Sequence, residues 1–230
     1  MKNDNLSSTP LLERTMVSGL HNFLMNLIPE SITYNIPILD IGCGTGAWLE
    51  RLANAGFKNL YGIDNDIEQL QTKKATCWQA NIDSDDLGFG NKKFGLITSI
   101  EVIEHLENPG RFFQHLSGLL APEGYLLITT PNLNSVLCRL RLLLTGNLRQ
   151  FDQKGEPTHI YPVFMTPLNR ILQNYNLKIV YKCTYPLKGS ITSRPSLKMM
   201  SSLLSLILQD ELPGDILCLL IQKISVKAVN

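Results

Sequence analysis

The chain has 230 residues, which is enough for one well-filled domain but short for two. Hydrophobic residues make up 44% of it and charged residues 18%, without a low-complexity tract, which excludes a chain that stays disordered. No apolar segment follows a basic N-terminus, and no uninterrupted apolar run reaches about 18 residues. We therefore expect a single globular domain over residues 1–230, located in the cytoplasm.

Charge is distributed unevenly, although the net charge is only +1. Residues 1–131 carry 9 basic and 15 acidic side chains, whereas residues 132–230 carry 12 and 5. The basic second half favours an anionic partner group such as a phosphate, a carboxylate or a lipid headgroup; solvated lysines without a partner are the alternative. The five cysteines stand singly and are odd in number, which argues against disulfides or a zinc knuckle and fits a reducing compartment.

The first half of the chain alternates helices and strands. Apolar residues spaced three and four apart predict an amphipathic helix from Pro10 to Ile28, within an N-terminal capping segment at 1–34. Strands are predicted at 36–42, 59–64, 77–82, 94–100 and 124–131, and helices at 47–55, 67–75 and 109–120. Strands that alternate with helices indicate a parallel sheet with right-handed crossovers.

Beyond residue 131 this alternation is interrupted. We predict a lid insertion at 132–165 with an apolar helix at 135–144, then a helix at 167–174 and a strand at 177–185. A second apolar insertion at 188–213, with a helix at 196–208, precedes a last strand at 215–224. The two insertion helices either pack over the sheet as a lid or contact a membrane surface or an amphiphilic acceptor.

A glycine-rich loop, DIGCGTG at 40–46, joins the first strand to a helix. Glycine suits a sharp turn with positive φ and a backbone against which a ligand can lie, and the free N–H groups of the helix start favour a negative ligand group. Asp64 ends the second strand 22 residues after Gly42, a spacing at which a carboxylate can accept hydrogen bonds from ribose hydroxyls. Together these features indicate a site for an adenosine-containing ligand.

The glycine spacing alone does not identify that ligand. Gly42, Gly44 and Ala47 also satisfy the dinucleotide fingerprint GxGxxG/A, so an NAD site is an alternative, as is a tight turn without any ligand. The carboxylate of Asp40 and the additional Gly46 favour a ligand other than a dinucleotide.

ILDIGCGTG, followed by GIDND, resembles the first two motifs of the class I S-adenosylmethionine-dependent methyltransferases, over residues 36–131. The resemblance implies S-adenosylmethionine as the cofactor. It also implies a Rossmann-like, doubly wound α/β fold: a seven-stranded, mostly parallel sheet with its last strand antiparallel and helices on both faces.

The same resemblance implies which residues contact the cofactor. The glycines would line its methionyl part, Asp40 would order the loop, and Asp64 would take the ribose. The full set is Asp40, Gly42, Cys43, Gly44, Gly46, Asp64, Asn65, Asn81, Ile82 and Ile100. Asn81 departs from the commoner aspartate at the adenine, but its carbonyl can still accept from the adenine amine. Gly95 replaces the aspartate of the usual FDLI sequence.

A second motif, SIEVIEHLENP at 99–109, resembles the EVIEHL element of methyltransferases near the ubiquinone-biosynthesis O-methyltransferases. The carboxyl end of a central strand borders the ligand crevice in an open α/β sheet, so Glu101 is expected near the transferred methyl group. Glu101, His105 and His159 are candidate bases for the acceptor proton. If the turn is helical, Glu104 shares a face with Glu101 and His105.

These side chains also permit a metal site. In the small-RNA 3′-terminal 2′-O-methyltransferases, which this cluster also resembles, the matching positions bind a divalent cation; here Glu101, Glu104, His105 and His159 would hold Mg²⁺ or Mn²⁺. The alternative is a structural role, in which the same side chains hydrogen-bond the backbone to fix the loop.

We predict O-methylation of a small or amphiphilic acceptor, such as a quinone precursor, a lipid or a glycan intermediate, by a cytoplasmic enzyme with an option of peripheral membrane contact. A metal-dependent RNA 2′-O-methyltransferase is the second interpretation. The modest net charge and the lack of an evident nucleic-acid module count against it. A cofactor-binding protein without catalysis and an NAD-dependent reductase are further alternatives.

Overall fold

A seven-stranded sheet runs through the computed structural model, which describes residues 12–84, 87–153, 155–190 and 212–224. Its order is β3-β2-β1-β4-β5-β7-β6. The strands are β1 Ile38–Ile41, β2 Leu60–Asp64, β3 Thr76–Gln79, β4 Phe94–Ile100, β5 Leu120–Pro131, β6 Leu177–Tyr185 and β7 Ile216–Lys223. Strands β1 to β5 pair in parallel, and β7 is antiparallel to both β5 and β6. The predicted sheet with its antiparallel last strand is confirmed.

Helices cover both faces of this sheet. They are α1 Leu20–Met25, α2 Ala47–Asn54, α3 Pro109–Leu119, α4 Val136–Thr145 and α5 Met165–Asn174, with a 3₁₀ turn at Ile103–His105. One core cluster joins the sheet to α3 and α5, and another joins it to α1 and α2. The central strands are therefore buried on both faces, as expected for parallel strands between two helical layers.

The N-terminal helix is much shorter than predicted. It begins at Leu20 because Gly19 has a left-handed backbone, with a φ of 84°. The side chain of Glu13 accepts a hydrogen bond from the backbone N–H of His21 at 2.9 Å, which turns the preceding residues away from the helix axis. Residues 12–18 of the predicted helix therefore form an irregular segment, and residues 10 and 11 lie outside the described part of the chain.

The helix predicted at 67–75 is wrong, because that stretch is a loop. Asp64 accepts a hydrogen bond from the backbone N–H of Asp66, and Asp66 accepts one from Glu68, both at 2.9 Å. The N–H of Gln71 donates to the carbonyl of Thr45 at 3.0 Å. Short polar side chains and the glycine loop thus take the N–H groups that a helix would need. Strand β3 is also shorter than the predicted 77–82.

The second half of the chain follows the prediction more closely. Helix α4 is capped by Ser135, whose hydroxyl accepts from the N–H of Cys138, and ends at Gly146. Its C-terminal end exposes Leu142, Leu143 and Leu144. The helix predicted at 196–208 lies outside the described residues, so the lid and membrane interpretations of both insertions stay predictions. No helix within the described ranges is long and apolar enough to cross a bilayer.

Gly95, where the methyltransferases that this sequence resembles usually have aspartate, lies in β4 against Ile36. A Cβ atom at position 95 would overlap Ile36 Cγ2. The space that a side chain would need here is already filled by the segment that leads into β1.

We expect Gly95→Ala to lower the free energy of unfolding by about 1–3 kcal/mol, because an extra methyl group overpacks this site. The matched control is Gly118→Ala at an exposed position of α3, where a Cβ meets nothing within 4 Å. That change should be neutral or stabilising by roughly 0.5–1 kcal/mol. Urea denaturation measures both. In an Ile36→Ala background the cost of Gly95→Ala should shrink, and an unchanged cost would contradict the steric explanation.

Candidate active site

The glycine loop leaves the carboxyl end of β1 and leads into α2. Gly42, Gly44 and Gly46 all have left-handed φ values, 73°, 50° and 80°, and Gly46 is the residue that caps α2. A Cβ at Gly42 would overlap Val102 Cγ2. The loop therefore needs glycine both for its turn and for the close approach of the chain that follows β4.

Asp64, at the end of β2, holds this loop. Its Oδ2 accepts a hydrogen bond from the N–H of Gly44 at 2.7 Å. Together with the residues predicted for ribose and adenine, it borders a cavity of about 170 Å³, whose lining includes Gly42, Asp64, Asn65, Asn81, Ile82, Val102 and His105. Asn81 Oδ1 already accepts from the N–H of Asp83 at 2.9 Å, but an amide oxygen has a second lone pair.

A smaller cavity of about 50 Å³ lies on the other side of the loop, and Gly42 lines both. Four further residues of the predicted set line it: Asp40, Cys43, Gly44 and Ile100. Sequence reasoning missed several others here, namely Arg14, His21, Thr45 and Trp48. Gly46 is the one predicted cofactor residue that does not appear in either lining; a Cβ there would meet Thr72 and Leu70 instead.

Asp40 is a buried carboxyl beside the loop. Thr98 Oγ1 donates to its Oδ1 at 2.7 Å, and Trp48 Nε1 donates to Thr98 Oγ1 at 3.1 Å. Burial raises the pKa of Asp40 to about 7; the Thr98 hydrogen bond opposes the shift, and Asp64 adds to it. A cation bound in the smaller cavity would favour the ionised form of this carboxyl.

An N-terminal segment, residues 12–18, crosses the site. Thr45 Oγ1 donates to the carbonyl of Leu12 at 2.9 Å, and the N–H of Met16 donates to Glu101 Oε2 at 2.7 Å. Arg14, between these two contacts, lines the smaller cavity. The spacing of apolar residues predicted a helix here and so missed this irregular segment. Gly19, inside the predicted helix, is the sequence feature that indicates a later helix start.

Glu101 follows β4 with a left-handed φ of 54°, which is uncommon for a residue with a side chain. Its N–H donates to both the carbonyl and the hydroxyl of Thr129, at 3.2 and 3.0 Å. Burial raises the pKa of Glu101 to about 7, against the opposing hydrogen bond from Met16. Backbone strain of this kind persists where the surrounding structure enforces it, often at functional sites.

Glu104, His105 and His159 come together as predicted, with one ligand atom from each within 4.8 Å of the others. The rings of His105 and His159 meet edge to face, 4.8 Å apart. Glu101 lies outside this group. The helical face proposed for Glu101, Glu104 and His105 does not form, because the 3₁₀ turn starts only at Ile103 and the carboxylate of Glu101 is bound by Met16.

Glu104 is fully buried, and neither of its carboxylate oxygens makes a hydrogen bond of ordinary geometry with a described residue. Its own N–H and the hydroxyl of Thr130 lie close enough to oppose a rise in its pKa. Burial raises its pKa to about 8. Its backbone carbonyl accepts from the N–H groups of Ile160 and Tyr161, both at 2.9 Å, which fastens the chain after His159 to the 3₁₀ turn. Burial, and then the neighbouring His105, lower the pKa of His159, so its imidazole is neutral near neutral pH.

Comparison with known proteins places the chain in a family. Residues 13–182 match a family described as a methyltransferase domain. The ubiquinone biosynthesis O-methyltransferase of Rickettsia bellii is 30% identical over 169 residues, 67% of this chain and 69% of that protein. The mitochondrial ubiquinone biosynthesis O-methyltransferase of Dictyostelium discoideum is 30% identical over 112 residues, 41% of this chain and 35% of that protein.

Solved structures show the same fold. A SAM dependent methyltransferase from Archaeoglobus fulgidus has a TM-score of 0.60 at 18% identity, over 89% of this chain and 93% of that one. Magnesium protoporphyrin IX methyltransferase from Synechocystis, solved with bound SAH, has a TM-score of 0.57 at 14% identity, over 89% and 80%. With its glycine loop and its family match, this chain belongs to the class I S-adenosylmethionine-dependent methyltransferases.

Proposed function

We propose that the chain transfers the methyl group of S-adenosylmethionine to a hydroxyl oxygen of a small or amphiphilic acceptor, such as a phenolic quinone precursor. The observation that carries the proposal is the junction of three parts at the carboxyl ends of β1 and β4: the two cavities that share Gly42, the carboxyl of Glu101, and the imidazoles of His105 and His159. The name of the Rickettsia relative supports an oxygen acceptor.

The residues present fit the cofactor. The larger cavity would receive the adenosine, with Asp64 at the ribose and Asn81 at the adenine. The smaller cavity would receive the methionyl part, because Arg14 offers a partner for its carboxylate and Asp40 a partner for its ammonium group. When bound, S-adenosylmethionine supplies an electrophilic methyl group on a positively charged sulfur.

The chain itself has to align the acceptor and take its proton. Methyl transfer of this kind is an in-line displacement: an O–CH₃ bond forms, the S–CH₃ bond breaks, and its electron pair stays on sulfur. The acceptor proton passes to a base. The neutral imidazole of His159 is our preferred base, because its lowered pKa leaves a lone pair available near neutral pH.

The cofactor assignment predicts that Asp64→Asn weakens S-adenosylmethionine binding about ten- to a hundred-fold, through loss of charge-assisted hydrogen bonds worth roughly 1.5–3 kcal/mol. The control is Asp66→Asn, an exposed carboxylate two residues further along that lines neither cavity. Isothermal titration calorimetry with S-adenosylmethionine, and with NAD in parallel, measures both. Equal losses in the two variants, or tighter binding of NAD, would refute the assignment.

If His159 takes the proton of the acceptor hydroxyl, kcat should depend on pH. The imidazole must be neutral to accept a proton, so kcat should fall as the pH drops through a midpoint below the ordinary value of 6.5. If Glu101 is the base, the midpoint lies near 7. His159→Asn should abolish the low-pH step and reduce kcat roughly 10²–10⁴-fold.

A panel of phenol and catechol acceptors serves this measurement. The control variant is His115→Asn on α3, outside both cavities. A midpoint near 7 that persists in His159→Asn would exclude His159 as the base.

A second arrangement is favoured by the buried carboxyl of Glu104, which makes no hydrogen bond of ordinary geometry within the part of the chain that the structure describes. A buried carboxyl beside two imidazoles suits a divalent cation such as Mg²⁺ or Mn²⁺, which would bind Glu104, His105 and His159. The cation would orient the acceptor oxygen and lower the pKa of its hydroxyl group. His159 would then serve as a ligand rather than as the base.

If this arrangement operates, EDTA should reduce methyl transfer at least about ten-fold and added Mn²⁺ should restore it, because the cation stabilises the acceptor oxyanion. Glu104→Gln should lose Mn²⁺, measured by electron paramagnetic resonance, and keep S-adenosylmethionine affinity. Glu107→Gln, an exposed carboxyl nearby, is the control. A rate that EDTA leaves unchanged rules the cation out.

A further inference from the structure

A buried ion pair joins the insertion after β5 to the start of β7. Arg149 Nη1 lies 2.8 Å from Asp215 Oδ1. The side chain of Asp215 is 0% exposed and that of Arg149 is 15% exposed. Neither residue lines the described cofactor cavities, so the methyl-transfer chemistry does not by itself explain the pair.

Burial makes such a pair expensive. Both charges lose their hydration, and a buried ion pair is often no more stabilising than an apolar pair of the same size. What a buried pair can provide is one fixed geometry. Asp215 is itself anchored, because its carbonyl accepts from the N–H of Asn132 at 2.8 Å where β5 ends. Arg149 is therefore held against a rigid point of the sheet.

The residue after Arg149 contacts His159, the proposed base. Gln150 has a left-handed φ of 71°, and its carbonyl oxygen lies 3.0 Å from His159 Nδ1. A carbonyl oxygen can only accept, so Nδ1 of the neutral ring carries the proton and Nε2 keeps the lone pair. The position of one backbone carbonyl thus selects the tautomer of the proposed base.

His159 is held on its other sides as well. The ring of Phe151 packs against it, with centroids 5.4 Å apart. The two residues that follow it are tied to the carbonyl of Glu104. Those contacts fix where the ring lies, whereas the Gln150 carbonyl fixes which ring nitrogen is available.

We propose that Arg149 and Asp215 are positioning residues: they hold the Gln150 carbonyl against His159 Nδ1 and so keep Nε2 free for the acceptor or for a cation. The proposal rests on the proposed function, in which His159 acts at the acceptor oxygen. Neither Arg149 nor Asp215 contacts the reacting atoms.

The test uses the full chain labelled with ¹⁵N-histidine, at about pH 8 where imidazole is neutral. The NMR shifts of Nδ1 and Nε2 distinguish the two tautomers, and His159→Asn assigns the signal. We expect wild type to show one tautomer protonated at Nδ1. Arg149→Met should show a mixture of tautomers and a kcat at least about ten-fold lower, with S-adenosylmethionine affinity within about two-fold of wild type, and Arg149→Lys should restore part of both.

The matched control is Arg139→Met, which removes an exposed arginine from α4 and should change neither readout. If Arg149→Met does not fold, Asp215→Asn and Arg149→Lys carry the test with the same readouts. An unchanged His159 tautomer in the variants, or a mixture already present in wild type, would overturn the proposal. If the wild-type chain does not bind S-adenosylmethionine, the proposed function is refuted. The NMR comparison of His159 tautomers in wild type and variants still decides whether Arg149 and Asp215 position the Gln150 carbonyl.

Discussion

The site depends on one close contact, between the backbone of Gly42 and the side chain of Val102. It brings the loop after β1 against the turn after β4, and no side chain fits between them. From the other side, the carboxylate of Asp64 binds the loop through Gly44. The ends of three neighbouring parallel strands are thereby fixed relative to one another, and that frame positions the groups on β1, β2 and β4 that we assign to the cofactor.

Three buried carboxyl groups lie on or next to the same strand ends, and burial outweighs the hydrogen bonds that would favour their ionised forms. Asp40, Glu101 and Glu104 are all buried enough that their pKa values rise to about 7 or 8. A carboxyl with a raised pKa in the folded state contributes stability at low pH, and that contribution is lost as the pH rises through the folded-state value. The empty protein therefore becomes less stable towards neutral pH. A cation bound beside one of these carboxyls would favour its ionised form and so offset part of this loss.

Much of this arrangement could be predicted from local patterns. The glycines, Asp64 and the EVIEHL element lie where strand and helix periodicity placed them, because each depends on residues close in sequence. In the helix predicted at 67–75, one of the N–H groups, that of Gln71, goes to the distant Thr45. In the helix predicted from Pro10, which begins only after Gly19, the N–H of Met16 goes to the distant Glu101. Periodicity carries no information about such distant partners. The grouping of His159 with Glu104 was predicted only through resemblance, since the two residues are 55 positions apart in the chain.

The segment at residues 12–18 meets the site through its main chain. The carbonyl of Leu12 and the N–H of Met16 supply its two hydrogen bonds to the site, and any amino acid except proline at 16 can provide them. The side chains on which these bonds depend belong to Thr45 and Glu101, in the enzyme body. Apart from Glu13, Arg14 and the buried Val17, whose side chains make contacts of their own, substitutions in this stretch would therefore leave the crossing intact. Side chains that face an acceptor here can change without moving the main chain that carries them.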